Sequence, residues 1–126
     1  MWISVLAISL GAALGALIRW ALSVGLNGLF PNLPPGTAVA NIAGGYMIGV
    51  AVVLFTHHAT LPPEWRLFVI TGFLGGLTTF SSFSGEVFAL FERGHTGWAL
   101  VAVAAHVLGS LAMTALGWWG WQLLRG

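Results

Sequence analysis

Four long apolar runs, separated by short polar or turn-forming stretches, organise this chain. The first runs from Trp2 to about Ser23, the second from Thr37 to about Phe55, the third from Trp65 to about Phe91 and the fourth from Gly97 to about Leu124. A hydrocarbon core of roughly 30 Å takes about 20 apolar residues in helix, so each run reads as a transmembrane helix. The first connector, GLNGLFPNLPPG at Gly25–Gly36, is rich in Gly, Asn and Pro and reads as a loop. Pro34 and Pro35 stop an incoming helix and suit the start of the next. The second connector, Ala59–Pro63, ends in two prolines, and Glu64 then stands where the positive end of a helix dipole favours it. Glu92-Arg93-Gly94 closes the third run. The expected architecture is an all-α membrane protein, one domain over residues 1–126, folded as a four-helix bundle with short loops.

One stretch breaks the apolar pattern. Gly72–Glu86 reads GFLGGLTTFSSFSGE, with a glycine pair at Gly75-Gly76 and five hydroxyl side chains within the seven residues Thr78–Ser84. Polar or irregular backbone at membrane depth is tolerated only where it is buried in protein or lines a cavity. Lone hydroxyls in membrane helices bond back to a carbonyl one turn earlier, but five together exceed that need. Gly75 and Gly76 weaken the helix just before them. The pattern predicts a third helix broken at mid-membrane, around Gly75–Ser81, with freed backbone groups that an ion, water or another chain must satisfy.

Composition fixes the environment. Hydrophobic residues make up 58% of the 126 and charged residues only 6%, far below the roughly 25% of soluble domains, which leaves an integral membrane protein. No Lys or Arg precedes the first run, and that run is long enough to span, so it reads as a retained helix and not a cleaved leader. With no cysteine, disulfides and thiolate metal sites are excluded, and a net charge of +1 argues against nucleic acid as a partner. The four histidines, 57, 58, 95 and 106, have neither Asp nor Cys for company, so zinc is not expected. No Asp exists to orient a His and no Gly-x-Ser-x-Gly elbow is present, so the chain does not read as an enzyme.

Packing and charge point to an oligomer. GxxxG spacings at Gly11–Gly15, Gly45–Gly49 and Gly72–Gly76 let helix backbones approach closely. Four thin helices enclose little space for a solute. In a four-span chain Arg66 and Arg125 share one side of the membrane, and Arg93, with Arg19 if it reaches the interface, shares the other. Orientation follows the Lys/Arg imbalance between short loops, and two against two gives none. Insertion both ways up would let two chains pair as an antiparallel homodimer within the lipid bilayer.

Several side chains then stand out as candidates. Asn41, deep in the second span, either bonds across to another helix or offers its NH2 to a passing anion. Phe80 and Phe83 share a helix face. They are either packing aromatics or, because a ring edge is positive, the lining of an anion path. His106, Ser110 and Thr114 recur every four residues on one face of the fourth span, for interhelical bonding or for a pore. Glu86, following the hydroxyl run, is an intramembrane carboxylate, either hydrated near the interface or paired with Arg19. A small dual-topology proton-coupled multidrug exporter, with Glu86 as its shared proton and cation site, is the alternative to an ion channel.

The motifs G-x-x-x-R-W at Gly15–Trp20, P-x-G-T-x-x-x-N at Pro34–Asn41, GFLGGLTTFSSFS-x-E at Gly72–Glu86 and GSLAMT at Gly109–Thr114 resemble the Fluc family of bacterial fluoride channels over essentially the whole chain. The resemblance implies a multi-pass protein of the bacterial inner membrane, an antiparallel dual-topology homodimer with two pores that passively exports cytoplasmic fluoride. It implies that Asn41 donates to fluoride and that Phe80 and Phe83 contact it through ring edges. Ser110 and Thr114 would form a polar track, with the nearby hydroxyls Ser81 and Ser84 and with His106 as further pore candidates. It also implies a structural sodium ion on the two-fold axis, held by the carbonyls of Gly75 and Thr78, and places Arg19 at a vestibule or subunit boundary. Some relatives carry a tyrosine and a serine where this chain has Ala102 and His106, so His106 would bring a pH dependence of its own.

Overall fold

The structure, a computed structural model, describes residues 1–125. Helix α1 covers Trp2–Leu26 and runs into a 3-10 turn, Asn27–Leu29. Helix α2 covers Pro35–His57, with proline in its first turn where a missing N–H costs nothing. The next helix opens as Pro63–Arg66, continues as a π-helical stretch, Leu67–Leu74, and ends in one α-turn, Gly75–Leu77. These three pieces together are α3. Helix α4 is Phe80–Glu92 and α5 is Thr96–Arg125. Among the described residues four stretches are long and apolar enough to cross a membrane: Trp2–Leu29, Pro35–His57, Pro63–Glu92 and Thr96–Arg125.

Local chemistry explains the reversal between α4 and α5. Gly94 has φ +81°, the left-handed conformation that glycine adopts without a side-chain clash. The Gly94 N–H donates to the Phe91 carbonyl (3.0 Å) and the His95 N–H to that of Leu90 (2.8 Å). This pair of bonds closes the end of α4 as a Schellman motif.

The bundle is held by two backbone-to-backbone seams, α1 on α3 and α2 on α5. A Cβ on Gly11 would collide with the Phe68 carbonyl and one on Gly15 with that of Phe73. From the other side, Cβ atoms on Gly72 and Gly76 would collide with the Ile8 and Ala12 carbonyls. The first and third GxxxG spacings therefore face each other. In the second seam Gly45 and Gly49 lie on the carbonyls of Ser110 and Thr114, while Gly117 returns the contact against Tyr46. Association of helices in lipid gains nothing from excluding water and rests on such close packing. The side-chain core is correspondingly small. It comprises Ala40, Ala51, Leu74 and Leu77 in one cluster and Leu90, Ala99 and Ala102 in another.

Candidate functional site

Between α3 and α4 the backbone is extended at Thr78 (φ −81°, ψ 155°) and Thr79 (φ −149°, ψ 111°). One side chain of α2 satisfies this segment. The Asn41 Oδ1 accepts from the Thr79 N–H (2.7 Å) and the Asn41 Nδ2 donates to the Thr79 carbonyl (3.0 Å), much as a neighbouring β-strand would. Thr79 is buried, and its hydroxyl accepts from the Ser82 N–H (3.0 Å), capping α4. Thr78 bonds back through its hydroxyl to the Leu74 carbonyl (2.8 Å). In an unbroken helix the Thr79 and Ser82 N–H groups would donate to the carbonyls of Gly75 and Thr78. Both are diverted, one to Asn41 and the other to the Thr79 hydroxyl.

The carboxamide also fixes a histidine. Because Thr79 sets which end of Asn41 is oxygen, the second Nδ2 hydrogen points at His106 Nδ1 (3.0 Å), which must accept it. The His106 proton then resides on Nε2, and that atom is buried with no hydrogen-bond partner among the described residues. Phe83 lies over the imidazole with ring centroids 4.6 Å apart, and Phe80 meets Phe83 edge-on at 5.6 Å. Phe83 is buried, whereas Phe80 is 77% exposed. One turn further along α5 the Ser110 hydroxyl donates to the Asn41 carbonyl (3.4 Å), and the Thr114 hydroxyl donates to the carbonyls of Gly45 (2.8 Å) and Ser110 (2.9 Å). The polar stripe of α5 thus bonds to α2 and at the same time borders an open groove. That groove, of about 580 Å³, is shared by Asn41, Gly75, Thr78, Thr79, Phe80, Phe83, His106, Ser110 and Thr114.

Two expected residues have other partners. Arg19 Nε donates to the Gly76 carbonyl (3.1 Å), tying α1 to the last turn of α3. Glu86 Oε2 accepts from the Thr37 hydroxyl (2.6 Å). The expected Arg19–Glu86 pair is therefore not formed among the described residues, because each group has a closer polar partner on the helix packed beside it.

The sequence of the chain matches the family model for CrcB-like protein, Camphor Resistance (CrcB), over residues 6–118. The chain belongs to the CrcB family. It is 60% identical over 125 residues to a protein of Tolumonas auensis, covering 99% of this chain and 98% of that one. It is 59% identical over 119 residues to one of Burkholderia thailandensis (94% and 93% covered) and 56% identical over 126 residues to one of Pseudomonas paraeruginosa (100% and 99%). Each of the three is named a fluoride-specific ion channel FluC. The CrcB family is accordingly one of ion channels and not of enzymes.

Within this CrcB chain the groove gathers most of the residues singled out in the sequence. Ser81 and Ser84 are exposed and lie outside it, as do Arg19 and Glu86. Ala102 is buried against Leu90 and Ala99, so it packs the α4–α5 contact and does not border the groove. Sequence reasoning missed Thr37 and Asn27. Thr37 carried a signal, since it stands four residues before Asn41 on the same face of α2. Asn27 carried none, because its partner is reached only when the first connector folds back on α2.

Proposed function

We propose that this protein is a fluoride-selective ion channel that passively exports cytoplasmic fluoride across the bacterial inner membrane. The observation that carries the reading is the groove in which the Phe80–Phe83 ring pair faces Asn41, His106, Ser110 and Thr114, in a chain whose close relatives are named fluoride channels. Fluoride holds its water tightly, so it enters such a groove only if hydrogen-bond donors replace the hydration shell. The His106 Nε2–H is a donor left without a partner, and Asn41 supplies a second by exchanging His106 for the anion. The ring edges of Phe80 and Phe83 offer weak positive potential without a full charge. Among the described residues no Arg or Lys borders the groove, and that suits conduction, which requires binding weak enough for release.

The working unit in this reading is an antiparallel homodimer with two pores. Gly75, Phe80, Ser81 and Ser84 are exposed in the single chain, and a second, inverted copy would cover them. The stretch Thr78–Thr79 would then lie at mid-membrane. The carbonyls of Gly75 and Thr78, deprived of their helical donors, fit a hard cation that takes oxygen ligands. A sodium ion held there by both copies would neutralise the converging carbonyl dipoles and would not itself be transported.

The test is ion efflux from liposomes holding the purified protein, followed with fluoride and chloride electrodes in parallel. The expected outcome is fast, voltage-driven fluoride release without chloride release, lost in Phe80→Ile and in Asn41→Asp. No fluoride release from folded, dimeric protein would overturn the channel. Nothing in the relatives named above favours the multidrug exporter. Glu86→Gln would abolish proton-coupled export but would only modulate a channel.

A further inference from the structure

Two hydroxyls in this chain behave as isolated membrane hydroxyls do. Those of Thr56 and Thr78 donate back to carbonyls one turn earlier, at 2.7 and 2.8 Å. Thr37 does not. Its side chain is buried, and its proton goes across to Glu86 on α4 at 2.6 Å. The remaining contacts of Thr37 come from one residue in the first connector. Asn27 Nδ2 donates to the Thr37 oxygen (3.3 Å), while Asn27 Oδ1 accepts from the Thr37 N–H (3.1 Å). Gly36 makes this approach possible, because a Cβ there would meet Asn27 Oδ1 at 2.6 Å. A threonine hydroxyl has a single proton. With an amide donating into its oxygen, that proton is directed away from Asn27 and towards the carboxylate.

The position of this chain of contacts gives it a consequence. Thr37 lies one turn before Asn41 on α2, and Glu86 lies one turn after Phe83 on α4. The Asn27–Thr37–Glu86 chain therefore stands one turn beyond the level where Asn41, His106 and Phe83 meet. A carboxylate held against α2 by a short, charge-assisted bond is fixed in place. Released, the same carboxylate would repel an approaching anion.

The geometry points to Asn27 as a positioning residue for anion passage: by orienting the Thr37 hydroxyl it holds Glu86 against α2 and out of the anion's way. This inference rests on the channel reading above. It gives a connector residue, one that never meets the ion, control over the mouth of the path.

Asn27→Asp separates the two roles of the amide. It keeps an acceptor for the Thr37 N–H, so unfolding in detergent should match the unsubstituted protein. It replaces the donor with a carboxylate that competes with Glu86 for the Thr37 proton. Fluoride efflux from liposomes is expected to fall about tenfold, the scale of one lost charge-assisted hydrogen bond. The introduced aspartate adds a charge of its own, so the cycle with Glu86 is run with Asn27→Ala, which adds none. Asn27→Ala should lower the flux of the parent and change that of Glu86→Gln less than twofold, since no glutamate charge remains to be released. Unchanged efflux in Asn27→Asp, or a loss from Asn27→Ala that persists undiminished beside Glu86→Gln, would overturn the inference and leave the channel intact. No fluoride efflux from the unsubstituted protein would overturn the channel itself, and this inference with it.

Discussion

Asn41 is the most committed residue in the chain. Both hydrogens and one oxygen lone pair of its carboxamide are used, two of these bonds going to Thr79 and one to His106. A carboxamide is the smallest side chain that presents a donor and an acceptor side by side, which is what one extended residue needs on its edge. Asn41→Ala leaves the buried Thr79 N–H and carbonyl without partners, at a cost of about 1–3 kcal/mol for each such group. The expected result is a lower thermal unfolding midpoint in detergent. A variant as stable as the parent would mean that water or another group replaces the amide without loss. At this scale the sequence was partly legible. An amide deep in an apolar run announces that it needs a partner, but it does not say that the partner is a backbone residue 38 positions away.

At the scale of elements, the seams between helices carry the stability. A Cβ on Gly15 would meet the Phe73 carbonyl and the Leu77 amide, neither of which can rotate away. Gly97, in the first turn of α5, has nothing within 4 Å of the same position. Gly15→Ala should therefore destabilise the fold by about 1–3 kcal/mol through overpacking, while Gly97→Ala should be neutral or slightly stabilising because alanine favours helix. Equal unfolding midpoints for the two would show that the seam is looser than drawn. The four spans were legible because length and apolarity alone decide them. The GxxxG spacings named the right glycines but not their pairing, since spacing says that a backbone can come close and not which backbone comes. The π-helical turns Leu67–Leu74 were not legible. A shift from one helical bond pattern to the next leaves the residue types unchanged.

The whole molecule presents a wide apolar exterior. Large hydrophobic side chains on α1 and α5 are exposed, as expected where lipid is the solvent. The sequence expectation of two arginines to each side predicts insertion both ways up. The chain has no native cysteine, so one thiol introduced at His95, in the exposed turn between α4 and α5, reports topology directly. If the protein inserts both ways, an impermeant maleimide added to intact spheroplasts should label about half of His95→Cys, and permeabilisation should release the remainder. Complete labelling, or none, before permeabilisation would exclude an inverted pair.

The Asn41–Thr79 clamp also bears on biogenesis. The second span reaches the membrane before the third, so Asn41 meets the bilayer while Thr79, 38 residues behind it, has still to arrive. During that interval the carboxamide has nothing to satisfy it among the segments already inserted, and the segment it will hold cannot rest in lipid with its N–H and carbonyl exposed. Each therefore enters the membrane at a loss that the other largely removes, His106 taking the last Asn41 hydrogen. The second and third spans have to settle as one unit, and a chain arrested between them is the form that quality-control proteases would meet.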